Sequence, residues 1–345
     1  MRILILLLCL SVLSLPVSAL EIEPPAPPGE ALKWMPEDTD SFASGLADLL
    51  KNVAGSLGPD IREATALCVS IFAVVMLVGL ISLVSPGTKT AANLSGVAAI
   101  GSVLMLSANT MIRLASDTVY ELMEYGKLLL PVMGTALAAQ GGMTRSAALY
   151  AGSAAFTALL QSVIVRLLLP GIYLFLLLRI GSSTTENSIL KKLGDFLKTT
   201  VSWCLKIFLT IFTTYLSMTG VVSGTTDAVA LKATKITISS VVPVVGGVLS
   251  EASEAVLVSA SLMKNAAGLY GIFAVLALFL YPFLKITCHY FLLKLTEAAS
   301  GIWGNDSLTQ ITGAFSTAMG LLLGITAAAC IMVLVSTVCF MKGIG

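Results

Sequence analysis

Residues 220–265 read GVVSGTTDAVALKATKITISSVVPVVGGVLSEASEAVLVSASLMKN. The stretch lies between two strongly apolar spans, yet it is too polar to be an ordinary span. Its centre, Val241-Val242-Pro243-Val244-Val245-Gly246-Gly247, is an apolar run carrying a helix breaker and two adjacent glycines. Such a run predicts a helix end, an apolar turn and a new helix near Gly247. In a membrane this is a re-entrant or interfacial hairpin, since broken helix is tolerated there only where protein or water satisfies the freed backbone groups. On the flanks, Val229, Ala233 and Ile236 form an apolar stripe beside Lys232 and Lys235, as in a helix lying among headgroups. Glu251 and Glu254 fall in the first turns of the next helix, where the dipole favours carboxylates.

A weaker copy of the element occurs at Leu129-Leu130-Pro131-Val132-Met133-Gly134-Thr135. Sliding the chain against itself by 112 residues superposes Pro131 on Pro243, Gly134 on Gly246 and Pro170 on Pro282. The expected architecture is therefore all-α and polytopic: about six transmembrane helices plus two Pro-Gly hairpins in a tandem parallel repeat. The predicted organisation is a signal peptide (1–19), an acidic extracytoplasmic leader (20–63), a first transmembrane helix with its turn (64–90), two membrane repeats (91–202 and 203–312) and a last transmembrane helix (313–345). The spans begin near Ala64, Ala91, Ala147, Thr200, Ala266 and Gly313. Within the leader, Phe42, Leu46, Leu49, Leu50 and Val53 are spaced as on one face of a surface helix.

Composition supports the membrane reading. Of 345 residues, 57% are hydrophobic and 11% charged, against about 25% charged in a soluble domain. The net charge of +1 gives no argument for nucleic acid. Between Glu21 and Glu63 nine carboxylates face three bases, an acidic segment that belongs outside when it follows a signal sequence. Six cysteines are scattered singly and read as small hydrophobes rather than ligands or disulfides. The single histidine, His289, has no partner motif and reads as an interface residue at a span end. No catalytic, cofactor or metal constellation is present, so an enzyme is not expected.

Three bases fall in or near the spans. Lys285 reads as a snorkelling residue. Arg166 and Lys206 lie deeper, at a cost of at least ~2.5–3.5 kcal/mol on insertion scales, so they line a polar interior or face a partner. No acid within the notional spans offers them a counter-charge. In the six-span topology the acidic leader, Arg145, Lys232, Lys235 and both Pro-Gly segments lie outside. Lys89 and the loop with Lys191, Lys192 and Lys198 lie inside.

The ordered series Val222-Ser223-Gly224, Asp227, Lys232, Lys235, Val242 to Gly247, Ser250, Glu254 and Lys264-Asn265, with Gly268 and Gly271, resembles the stage III sporulation protein AE family of endospore-forming Firmicutes. The resemblance implies a polytopic subunit in the mother-cell membrane around the forespore. The implied partners are the other stage III sporulation A-operon proteins (a secretion-type ATPase and ring components) and, indirectly, stage III sporulation protein Q, together forming a channel between the two cells. It implies no catalytic residue and no cofactor. Docking or gating is expected at Asp227, Lys232, Lys235, Pro243, Gly246, Gly247, Glu251 and Glu254. The alternative is an autonomous secondary transporter with its site between the repeats.

Overall fold

A computed structural model describes residues 24–36, 42–140, 142–185, 188–241, 246–302 and 306–341, with side chains described outside Pro86, Ser217 and residues 219–265. Among these residues there is no strand. A 3-10 turn at Gly29–Trp34 precedes eight α-helices: α1 (Phe42–Ser56), α2 (Gly58–Val84), α3 (Lys89–Ala139), α4 (Met143–Val163), α5 (Leu169–Thr185), α6 (Ser188–Val241), α7 (Gly246–Ile302) and α8 (Asp306–Met341). Six segments are long and apolar enough to cross a bilayer: α2, α3, α4 with α5, the Ser188–Leu216 part of α6, the Ala266–Ile302 part of α7, and α8. They correspond to the six expected spans.

Their lengths differ in an informative way. α2 starts at Gly58, with Pro59 in its first turn where a missing N–H costs nothing. It ends before Ser85 and Pro86. Its length is about 40 Å, whereas α3 and α6 run to about 77 and 81 Å. The polar, amphipathic stretch Arg113–Lys127 is the middle of α3. Pro131 likewise does not break the chain: it sits inside α3, and the reversal comes at Gln140–Gly142. The expected hairpin at Pro131 is therefore corrected to a proline within a continuous helix. Pro170 acts one turn upstream. The segment Ile164–Leu168 is a π-turn, and the Leu169 N–H donates to the Ile164 carbonyl five residues back. The wider turn accommodates a ring that would otherwise meet the carbonyl of residue 166. Pro282 lies within α7. The polar stretch Thr225–Ile238 continues α6, so the helix expected to lie separately among headgroups is an extension of a span. Val242–Val245, with Pro243, lies outside the described residues.

The last helix is the central post. In α8, 61% of the most apolar stretch is buried, against 22% in α2 and 17% in the α6 span. It packs against α3, α5, α6 and α7. Three of its buried hydroxyls need no polar partner on another helix: Thr312, Thr326 and Thr337 each donate to the carbonyl four residues back, a bond that satisfies a hydroxyl in an apolar helix. The two glycines of the Gly320-xxx-Gly324 spacing face different neighbours, Tyr290 on α7 and Leu205 on α6, at ordinary contact distance. The tightest approach is elsewhere. At Gly152 on α4 an added Cβ would overlap the Tyr215 ring of α6. That ring is fixed by its hydroxyl, which donates to the Ala148 carbonyl at 3.1 Å, and by Phe156 at 5.5 Å between centroids.

Gly152→Val is therefore expected to lower stability by ~1–3 kcal/mol through overpacking, read as a lower melting temperature of the detergent-solubilised protein. Tyr215→Phe removes one hydrogen bond and is expected to cost ~1 kcal/mol.

Candidate functional site

The start of α2 carries the most concentrated polar chemistry among the described residues. Asp60, in the first turn, is buried. Its Oδ1 lies 2.7 Å from the Lys285 Nζ on α7, and its Oδ2 accepts a hydrogen bond of 2.9 Å from the Tyr281 hydroxyl. Trp34 stacks on the Tyr281 ring at 4.6 Å between centroids, and its indole N–H donates to the Ser56 hydroxyl at 3.4 Å. One cluster thus joins leader, α1, α2 and α7. Tyr281 and Lys285 lie one turn apart on the same face of α7, on either side of Pro282. Beneath them His289 is buried, with Nδ1 3.0 Å from the Lys285 carbonyl.

This arrangement corrects two expectations. Lys285 does not snorkel; it is paired. His289 is not at a span end but within the Ala266–Ile302 span. Glu297 lies 2.8 Å from Lys294 on the same helix. Glu297 also accepts a 3.2 Å hydrogen bond from the Ser316 hydroxyl of α8. Asp60 is missed from sequence because the apolar run begins at Ala64; the Gly58-Pro59 pair is the signal that starts the helix earlier. Arg145 is also buried. Its Nη2 donates to the Cys339 carbonyl at 3.5 Å in the last turns of α8, where the dipole favours a cation.

The leader is held along the bundle. The Tyr125 hydroxyl of α3 donates to the Pro25 carbonyl at 3.1 Å, and Pro27, Ala31 and Pro36 are buried. α1 forms as its spacing predicts. Gly45, Leu49 and Val53 face inward, and Phe42 stacks on Phe273 at 5.7 Å.

Of the residues expected to dock or gate, Asp227, Lys232 and Lys235 lie on the backbone of α6, and Gly246, Gly247, Glu251 and Glu254 on that of α7. Their side chains, and all of Pro243, lie outside the described residues. Arg166 and Lys206 are both exposed on the outer face of the bundle, so neither lines a polar interior. The first Pro-Gly element borders a shallow, mainly apolar groove of about 420 Å³ where α3 and α4 diverge, lined by Pro131, Gly134, Ser146, Tyr150 and neighbours.

The stage III sporulation protein AE family profile matches residues 37–343, nearly the whole chain. The chain belongs to that family. It is similar to stage III sporulation protein AE of Bacillus subtilis (strain 168), at 26% identity over 193 residues. The aligned stretch is 56% of this chain and 48% of that protein, so it spans about half the length of the relative. No solved structure matches the chain. The family is one of sporulation membrane proteins and is not a known enzyme family. Among the described residues no group of three or more His, Cys, Asp or Glu is placed to hold a metal ion.

The buried pair sets a clear energetic expectation. Removing one partner leaves an uncompensated charge, so Asp60→Leu or Lys285→Met alone is expected to cost roughly 3–5 kcal/mol, while the double substitution to apolar residues costs much less. Melting temperatures of the four proteins in detergent give the coupling. Additive losses would separate the two side chains.

Proposed function

We propose that this chain is the large polytopic subunit of a channel or secretion apparatus joining mother cell and forespore, acting in the mother-cell membrane. Family membership over residues 37–343 carries the reading. A six-span bundle built around a central helix suits a scaffold or conduit component. The partners in this reading are the ATPase and ring proteins of the same operon and, across the intercellular space, stage III sporulation protein Q. Residues 1–19 act as a secretory signal, and the acidic leader faces the space between the membranes.

Within this reading the Pro243 segment and its flanks are the docking or gating element. α6 ends at Val241 and α7 starts at Gly246, so two long helices converge on four residues that include the proline. A re-entrant or interfacial turn there, and its descent with the Pro131 element from a tandem duplication, belong to the same proposal. Asp227, Lys232, Lys235, Glu251 and Glu254 then flank the turn as partner contacts.

The transporter reading is weaker for a physical reason. A coupling carboxylate must exchange its cation during transport, but Asp60 and Glu297 are each engaged by a lysine of the chain itself.

In sporulating cells, Pro243→Ala combined with Gly246→Leu and Gly247→Leu is expected to leave membrane insertion and protein level normal while abolishing late forespore gene expression. Normal sporulation by that variant would remove the docking assignment. The purified chain alone in liposomes is expected to be inert in solute flux, whereas robust uptake would favour the transporter.

A further inference from the structure

The outer face of α6 carries a regular seam. Ile189, Phe196 and Trp203 recur every seven residues, and Lys192, Thr199 and Lys206 recur at the same interval three positions further on. All six are exposed. The alternation of three and four is the pattern by which one helix offers a straight strip to another. This strip is about 26 Å long. The opposite side of α6, with Gly194, Val201 and Leu205 buried, is the side that packs on α4, α5 and α8.

Neither lipid nor water suits the strip. In hydrocarbon, Lys192 and Lys206 each cost at least ~2.5–3.5 kcal/mol. In water, Ile189, Phe196 and Trp203 stay 65%, 65% and 67% exposed, a run of large apolar side chains of the kind that marks an interaction site. The lysines are not headgroup anchors on either side of a lipid-facing centre, because Asp195 and Lys198 lie between them and are exposed as well. A second helix laid along the seam removes both penalties, provided that it brings carboxylates to the lysines.

This chain does not bring them. Among the described residues, neither Lys192 nor Lys206 has a carboxylate at ion-pair distance. Asp195 is engaged by Arg179. Gly171 of α5 faces Val201 across the antiparallel α5–α6 pair, which puts exposed Arg166 level with Lys206 and adds a base there, not a counter-charge. Thr199 needs no partner, since its hydroxyl donates to the Asp195 carbonyl at 2.9 Å. A second copy does not bring them either. Two copies in the same orientation, joined α6 to α6, set lysine against lysine, and no described helix of the chain has two carboxylates fourteen residues apart.

We propose that the seam is the docking face for a transmembrane helix of a different protein, apolar overall and carrying two Asp or Glu residues about 21 Å apart along its axis. The aromatic positions supply the apolar contact, and the lysines select the partner and fix its register. The face is separate from the Pro243 element and stands whether or not that element gates a channel.

The test places the photoreactive residue p-benzoylphenylalanine at position 196 or 203 of the full chain in sporulating cells. Adducts formed on irradiation are isolated through a tag on this chain, and the crosslinked peptide is sequenced by mass spectrometry. Both positions are expected to capture one membrane-spanning segment of another protein, with Asp or Glu in that segment. Lys192→Met with Lys206→Met is expected to lower the yield about tenfold at an unchanged melting temperature, and Lys192→Arg with Lys206→Arg to keep most of it. An adduct with a second copy, with lipid alone or with a segment lacking a carboxylate overturns the proposal. So does the absence of any adduct, or a yield indifferent to the lysines. Sporulation is not the readout, so failure of the channel reading and failure of this one are told apart.

Discussion

The ion pair between Asp60 and Lys285 is the constraint on which the rest of the arrangement turns. It ties the first turn of α2 to the middle of α7, beside Pro282. An aspartate in an apolar bundle is costly unless paired and hydrogen-bonded; here Lys285 and Tyr281 supply both conditions. Because Tyr281 also carries the Trp34 stack, the same charge pair holds the leader against the bundle. Shift α2 by one turn and the carboxylate loses its lysine, the tyrosine its acceptor, and the leader its anchor. The pair therefore sets the height of the shortest span relative to all the others.

Around this anchor the bundle is built from the inside out. α8 runs parallel to α3 and antiparallel to α7, with Gly96 facing Leu308, Gly126 facing Val333 and Gly268 facing Met341. Thr312, Thr326 and Thr337 spend their hydroxyls on their own backbone, while Ser316 reaches Glu297 of α7. Charges are handled in pairs at the helix contacts: Asp60 with Lys285, Glu297 with Lys294, and Arg179 with Asp195 across the α5–α6 turn. Arg145 closes the far end of α8.

Much of the fold is legible in the sequence because bilayer physics writes it there. Six apolar runs of sufficient length, the Ser85-Pro86-Gly87 stop and the amphipathic spacing of α1 each have a local cause. The helix extensions are not legible in the same way. Arg113–Lys127 and Thr225–Ile238 are polar enough to look like interruptions, yet a helix can carry polar residues wherever it leaves the hydrocarbon or packs on another helix. Pro131 is misleading for a related reason: a proline removes one backbone bond, and surrounding helices can compensate for it. The pairing of Lys285 is hidden because its partner lies 225 positions away, in a segment that reads as leader. Arg166 and Lys206 are conspicuous as charges in spans, but their common height emerges only from the contacts of α5 with α6.

The central claim is that the Asp60–Lys285 pair fixes the height of α2 against α7. Exchanging the two charges tests it most directly. Asp60→Lys alone and Lys285→Asp alone are each expected to lower the melting temperature of the detergent-solubilised protein, and the double variant Asp60→Lys, Lys285→Asp is expected to recover most of the loss. A double variant less stable than either single one would contradict the claim.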